Sequence, residues 1–474
     1  MLKNRIGRYL GLTLAATALS GSAHAAPKKK RSTAADRTGI AITVYNQNFG
    51  LVREERRIRS GTGQVALQLQ DVAARIRPET VHIKGQGLRV LEQNYRFDLL
   101  TPETLLKKHV GKAVRVHRYN EKLGREDSFD AKLLSVAGGK PVLQIGKEVT
   151  FDFPGRISFP GVPANLMARP TLVWLLDSQR AEQKVEVTYL TQGMTWKTDY
   201  VLVLDSKESK GDLTGWVTLN NQSGASYTDA RLKLVAGDVN QVRPRGGEHF
   251  SAGGMATAPA APPRIKEESF FEYHLYTLNE PTDVLDNEQK QVTLLEAKGM
   301  RLEKKLIFYG QPYWFRGRHG QTQSNQKVGV YLDITNSKKN GLGMPLPKGV
   351  VRVYKADKSG AQQFVGEDNI DHTPRDEKVR IKMGEAFDVV GERKQVDYRR
   401  LGMCGSETSW EIQIRNHKKT AVKVEDYEPV GGEWTIVDSS HPHKKKDART
   451  FTFEVKVPAN GKTTIKYRVR IRWC

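Results

Sequence analysis

Apolar and polar residues alternate singly along most of this chain. Val185, Val187 and Tyr189 interleave with Glu186 and Thr188, and the same period recurs in KVGVYLDI, TFTFEVKV and SWEIQIRN, each followed by turn residues. Successive side chains of a strand point to opposite faces, so these runs predict half-buried strands. Helical periodicity is weak. Thr101-Pro102-Glu103-Thr104 offers a cap and first turn for one short helix reaching Val110. Strands with turn signals and no strand–helix alternation predict an all-β chain of tandem β-sandwich or small β-barrel-like domains with little helix.

The pattern also divides the chain. Residues 26–38 read as a basic linker, 39–105 as an N-terminal β-rich domain and 106–168 as a small β-barrel-like unit containing VGKAVRVHRY and PVLQI. The C-terminal β-sandwich region occupies 169–474. A flexible insertion is expected at 241–267, where RPRGGEHFSAGGMATAPAAPPR has too little apolar surface to offset chain entropy.

The last run is the most informative locally. Ile465, Tyr467, Val469, Ile471 and Trp473 fall on one predicted face, and Lys466, Arg468, Arg470 and Arg472 on the other. One face enters a core. The other is either a surface kept soluble by charge or a strip for an anionic polymer. The same alternation near an aromatic terminus also fits a closing strand of an outer-membrane barrel, but turn-rich insertions and a mean hydropathy of −0.56 weigh against that.

Residues 1–25 change the picture of where the chain works. Lys3, Arg5 and Arg8 precede an apolar stretch from Tyr9 to Leu19 and a small-residue exit ending Ala23-His24-Ala25, the layout of a signal peptide cleaved after Ala25. A periplasmic or secreted location is therefore expected. No later window is long and apolar enough for a transmembrane span in the mature chain. The 474 residues carry 76 Lys+Arg against 53 Asp+Glu, a net +23, and removing the leader leaves 73 against 53, or +20. An anionic envelope polymer such as a glycan, lipid head groups or an acidic protein is the expected partner, and nucleic acid is not, given export and the lack of a recognition module. Pro27-Lys28-Lys29-Lys30-Arg31 is read as a solvated arm. The two cysteines, Cys404 and Cys474, either close a loop of about 70 residues or remain as thiols.

At 170–240 the segments PTLVWLL, YLTQGMTWKTDYVL and GWVTLNNQSGASYTDARLKLVAGDVNQV resemble domain of unknown function 4139, found in mucoidy-inhibitor-like proteins. The resemblance continues through FFEYHLYTLNEPTDVLDNEQKQVTLL, GLGMPLPKGVVRVYKAD, QFVGEDNIDHTPRDEKVRI and GEAFDVVGER, covering roughly 165–474. It implies a β-rich extracytoplasmic or envelope protein and supplies no catalytic residues. Within it Trp174, Trp196 and Tyr200 read as core anchors, with a sugar-stacking platform as rival, and NGLGMPLPKG reads as a rigid turn.

Motifs of chemistry are few. There is no HExxH or GxSxG, and Gly461-Lys462-Thr463 lacks the first glycine of a phosphate loop, since Lys456 stands there. Glu367, Asp368, Asp371, His372, Asp376 and Glu377 crowd into GEDNIDHTPRDEK, a calcium or carboxylate-pair candidate whose plain alternative is a solvated loop. His441 and His443 are spaced for a metal, but Lys444, Lys445 and Lys446 follow and repel one, so neither metal nor cofactor is expected. The resulting expectation is an exported envelope-associated binding or scaffolding protein using Lys444, Lys445, Lys446, Lys466, Arg468, Arg470 and Arg472. The alternative is a hydrolase of envelope polymers using the carboxylates at 367–377.

Overall fold

The computed structural model describes residues 27–96, 100–136, 140–163, 166–167, 169–237, 239–241 and 265–474. The expected signal peptide, 1–25, lies outside the described residues, as does the expected insertion apart from its ends. Thirty strands and one α-helix are found among the described residues, so the chain is all-β, and its sheets do not close into a barrel. No described helix is long and apolar enough to cross a membrane.

Two compact units are present, and the chain passes between them. One contains residues through Asp36, Arg57–Asp71 and Lys84–Val185; the other contains Arg37–Arg56, Val72–Ile83 and Glu186–Cys474. This grouping is not the linear division that the sequence pattern suggests.

The first unit holds two sheets. In the four-stranded one, Gly63–Gln70 lies between Lys28–Ser32 and Thr171–Ser178, and Leu88–Arg96 completes the order. The cationic run expected as an arm is therefore an edge strand, parallel to Gly63–Gln70; Lys28 to Arg31 stay exposed and only Ser32 is buried. The second sheet has five strands around Ala113–Asn120 and Arg125–Ser135, open rather than closed, over a small cluster of Val114, Val116, Leu133 and Leu143. The expected helix is Pro102–His109. Thr101 Oγ1 accepts from the Thr104 backbone N–H at 3.2 Å and Thr104 Oγ1 accepts from that of Thr101 at 2.9 Å, a reciprocal cap that satisfies two otherwise orphaned donors.

The second unit is built on an eight-stranded and a thirteen-stranded sheet. In the former, Arg37–Tyr45 pairs in parallel with Tyr227–Ala236 and antiparallel with Phe49–Ile58, so residues near the start of the described chain complete a sheet of much later strands. In the latter, the long strand Glu288–Tyr309 pairs first with Lys210–Asn221, then with Gln323–Thr335 and Val422–Pro429. Beyond that branch the C-terminal sandwich forms. One layer runs through Lys378–Arg400, Gly405–Asn416, Gly461–Arg472 and Glu433–Ser439, while Thr450–Val457 and His443–Asp447 extend the other from Val422–Pro429.

Alternation decides what lies between these layers. Ile412, Ile414, Ile465, Val469, Phe451 and Phe453 are all fully buried, and the Tyr467 ring sits 5.4 Å from that of Phe451 and 5.3 Å from that of Phe453, so the two layers meet there. Fully burying each aliphatic side chain contributes about 1.5–3 kcal/mol. Trp174, Trp196 and Tyr200 are likewise buried, with the Tyr200 hydroxyl donating to the Pro347 carbonyl at 2.8 Å, which makes them core anchors and removes the sugar-platform alternative.

Candidate binding surface

The final strand, Gly461–Arg472, carries the predicted row of cations. Ile465, Tyr467, Val469 and Ile471 are buried as expected, but Trp473 lies past the strand end and is 40% exposed. The pattern stops one step earlier than the alternation suggests because the main chain leaves the ladder at Arg472.

Neighbouring strands neutralise much of the row. Glu407 Oε2 accepts from Arg470 at 2.8 and 3.0 Å, and its other oxygen lies 3.6 Å from Arg468. Glu411 lies 3.4 Å from Lys466. On the other side Asp438 stands opposite Arg468 and Glu433 opposite Arg472 in register. These cross-strand pairs are invisible in a linear text because their partners come from segments about 60 and 30 residues away. The free strip seen in sequence is largely a mixed-charge ladder.

Lys444, Lys445 and Lys446 occupy the exposed strand His443–Asp447. Its neighbour Thr450–Val457 faces Phe451 and Phe453 inward against Tyr467, so the lysine strand and the final strand belong to opposite layers. Lys445 Nζ lies 5.9 Å from the centre of the Trp434 ring and Lys446 Nζ 4.0 Å from that of Tyr427, both within cation–π range. Partial burial, then the nearby Arg380 charge, lowers the Lys446 pKa. Lys444 lies 3.8 Å from Glu454.

Cations that form no ion pair among the described residues gather instead at one end of this sandwich. Lys378–Arg400 turns through Leu401-Gly402-Met403-Cys404 into Gly405–Asn416, and a disulfide joins Cys404 to Cys474, with Cα atoms 5.3 Å apart. The Trp473 N–H donates to the Cys404 carbonyl at 3.0 Å. Ser406 Oγ donates to the Phe315 carbonyl at 3.2 Å and the Tyr398 hydroxyl to that of Arg316 at 3.2 Å, which ties the segment 313–319 to the same end. Arg316, Arg318, Arg399, Arg400 and Arg472 are exposed here. The sequence reading found only Arg472 of these five. The Arg399-Arg400 pair was visible, but nothing in the text joins it to Arg316 and Arg318.

The acidic cluster disperses. Glu367 pairs with Arg352 at 3.1 Å; Asp368, the next residue on the same strand and so on its opposite face, accepts from the Lys382 and Asn369 backbone N–H groups at 2.6 and 2.9 Å. Asp371, Asp376 and Glu377 are exposed in the following turn, and His372 Nδ1 accepts from the Lys348 backbone N–H at 3.2 Å. Glu367 and Asp368 are thus engaged on opposite faces of their strand while Asp371, Asp376 and Glu377 face solvent. Among the described residues, no three His, Cys, Asp or Glu side chains converge as metal ligands. His441 Nδ1 bonds Ser440 Oγ at 2.9 Å, and His443 packs on Trp434 and Phe453.

Two buried charge centres escaped the sequence pattern. Arg393, Asp426 and Glu428 are fully buried; Arg393 lies 2.5 Å from Glu428 and 3.3 Å from Asp426, with the Phe308 and Trp314 rings 5.1 and 4.9 Å from its guanidinium. Tyr467 donates to Glu428 at 2.9 Å. Burial, with the adjacent Glu428 charge, drives the Asp426 pKa well above the usual carboxylate range. In the other centre, Glu54 accepts from Arg56, from Arg37 and from the Tyr189 hydroxyl, and burial raises the Tyr227 hydroxyl to about 12. Both are sealed from solvent, so they act within the fold and are out of reach of a substrate.

The family model for a domain of unknown function, DUF4139, matches residues 185–474. No curated protein matches the chain.

Proposed function

The chain belongs to the DUF4139 family, and from that premise we propose that it is an exported, envelope-associated binding protein, without catalytic activity, that holds an anionic partner at the C-terminal sandwich. The single observation that carries this reading is the group of exposed arginines at the disulfide-joined end, set against a final strand whose Lys466, Arg468 and Arg470 already have acidic partners. Export is supported by the basic, apolar and small-residue succession of residues 1–25 and suits a disulfide, which persists in oxidising compartments. Dispersal of the carboxylates at 367–377 favours binding over hydrolysis, since glycoside cleavage needs two carboxyl groups about 5–10 Å apart across one cleft.

Exposed charges act through a screened field, with a reach of about 8 Å at physiological salt. The protein should co-sediment with an envelope fraction at low ionic strength and be released by salt, and Arg399→Glu with Arg400→Glu should release it at lower salt. Retention indifferent both to salt and to these substitutions would remove the reading. So would a processed chain absent from the envelope and the extracellular fraction.

A further inference from the structure

The arginine-rich end of the sandwich carries a second chemistry that a polyanion alone does not call for. Met403 is 84% exposed, Tyr313 59%, Trp473 40% and Leu401 38%, and hydrogen bonds and the disulfide hold the segments bearing them side by side. Tyr313 also packs its ring on Trp314 and His319, whereas Leu401, Met403 and Trp473 come from one turn and the strand end bound to it, and an exposed apolar group of that kind marks an interaction site. Arg316, Arg318, Arg399, Arg400 and Arg472 lie on the same segments, with Arg399 and Arg400 on opposite faces of the strand they end, and none forms an ion pair among the described residues. Arg400 Nε donates only to the local Gly402 carbonyl, at 3.1 Å. The acidic residues on the flanking strands are Asp397 and Glu433, both exposed, and Glu407, which stands opposite Arg399 in register but is engaged by Arg468 and Arg470, so positive charge still dominates.

We propose that this end docks on a bilayer containing anionic phospholipid, with guanidinium groups on lipid phosphates and the Leu401, Met403 and Trp473 side chains entering the headgroup boundary. The proposal rests on the reading above and names the partner's chemistry. Arginine presents a planar fork of donors that matches a phosphate bidentately, which favours phosphate over an isolated carboxylate. Tryptophan is at home where an apolar phase meets water. An anionic glycan supplies the charge but no apolar phase for Met403, so the lipid surface explains both halves of the patch. The disulfide adds rigidity, so little ordering is needed on contact.

The test uses the full processed chain and vesicles of phosphatidylcholine alone or with phosphatidylglycerol. Binding to the mixed vesicles, weak on the neutral ones and falling with salt, is expected. Each basic residue near an anionic surface contributes about fivefold, so Arg399→Ala with Arg400→Ala should weaken binding about thirtyfold. Met403→Glu should weaken it as well, while Lys444→Glu, on the opposite layer, should leave it within about twofold. Brominated lipid should quench tryptophan fluorescence, and Trp473→Phe should abolish that quenching. Because the substitutions are exposed, unchanged thermal melting certifies the fold of each variant. Failure to bind mixed vesicles, binding unaffected by the arginine pair, or equal binding to neutral vesicles would overturn the proposal. Salt-sensitive retention on the envelope fraction without vesicle binding would overturn only the lipid assignment, pointing to a glycan or acidic protein, and leave the broader reading standing.

Discussion

Asp426 and Arg393 show how a single side chain can be both expensive and indispensable. Removing one member of a buried ion cluster leaves an uncompensated charge, so Arg393→Ala should lower stability by about 3–5 kcal/mol in denaturant titration. The pH response has a definite sign. Burial raises the Asp426 pKa above its unfolded value, so the folded protein holds the proton more tightly and the unfolded chain gives it up first as pH rises. Its contribution is complete below the unfolded pKa of about 3.9 and is lost as pH climbs through the higher folded value. Asp426→Asn, which cannot ionise, should gain stability relative to the parent as pH increases, with a slope no steeper than about 1.4 kcal/mol per pH unit. Parallel pH dependences for the two proteins would refute that assignment. Neither residue announced itself in the text: Arg393 sits in GERKQ and Asp426 in VEDYEP, both of which read as solvated surface.

At the scale of elements, legibility followed locality. The helix at Pro102–His109 and the core face of the final strand were readable because each depends on spacing within a dozen residues. The charge ladder was not, because Glu407 reaches Arg470 only through strand pairing. The same ladder predicts asymmetry along one strand. Arg470→Ala takes two hydrogen bonds from the largely buried Glu407, which keeps Arg468 at 3.6 Å, and should cost about 1–2 kcal/mol, whereas Ile465→Ala or Val469→Ala, on the buried face, should cost about 2–4 kcal/mol. The disulfide spans 70 residues, and opening it by Cys404→Ser with Cys474→Ser should lower stability by about 4 kcal/mol in the chain-entropy account. The cysteines were conspicuous in sequence; their partnership was not, since it depends on the hairpin after Arg400 meeting the end of the final strand.

For the whole molecule, the family match and the folding unit have different bounds. Residues 185–474 match the family model, yet Arg37–Tyr45 and Phe49–Ile58 complete the eight-stranded sheet of that unit, with Ile42, Val44 and Val52 buried in it. A fragment of 185–474 would expose the edge of Tyr227–Ala236 and the apolar face those residues cover. It should therefore aggregate or remain partly unfolded where the longer chain melts cooperatively, and adding back residues 27–60 in trans should improve its recovery. A fragment that melts cooperatively at the parent temperature would show that the early strands are dispensable.

The same pairing sets a clock. Ala41 lies beside Arg231, 190 residues later, and at a synthesis rate of about 5–20 residues per second an early strand waits roughly 10–40 s before its neighbour exists. During that interval Arg37–Tyr45 has only its hairpin partner Phe49–Ile58, and Ile40, Ile42 and Val44 lack the later strands that bury them, so the nascent chain should depend on holding chaperones, and depletion of those factors should reduce its yield before any change in the finished fold is seen.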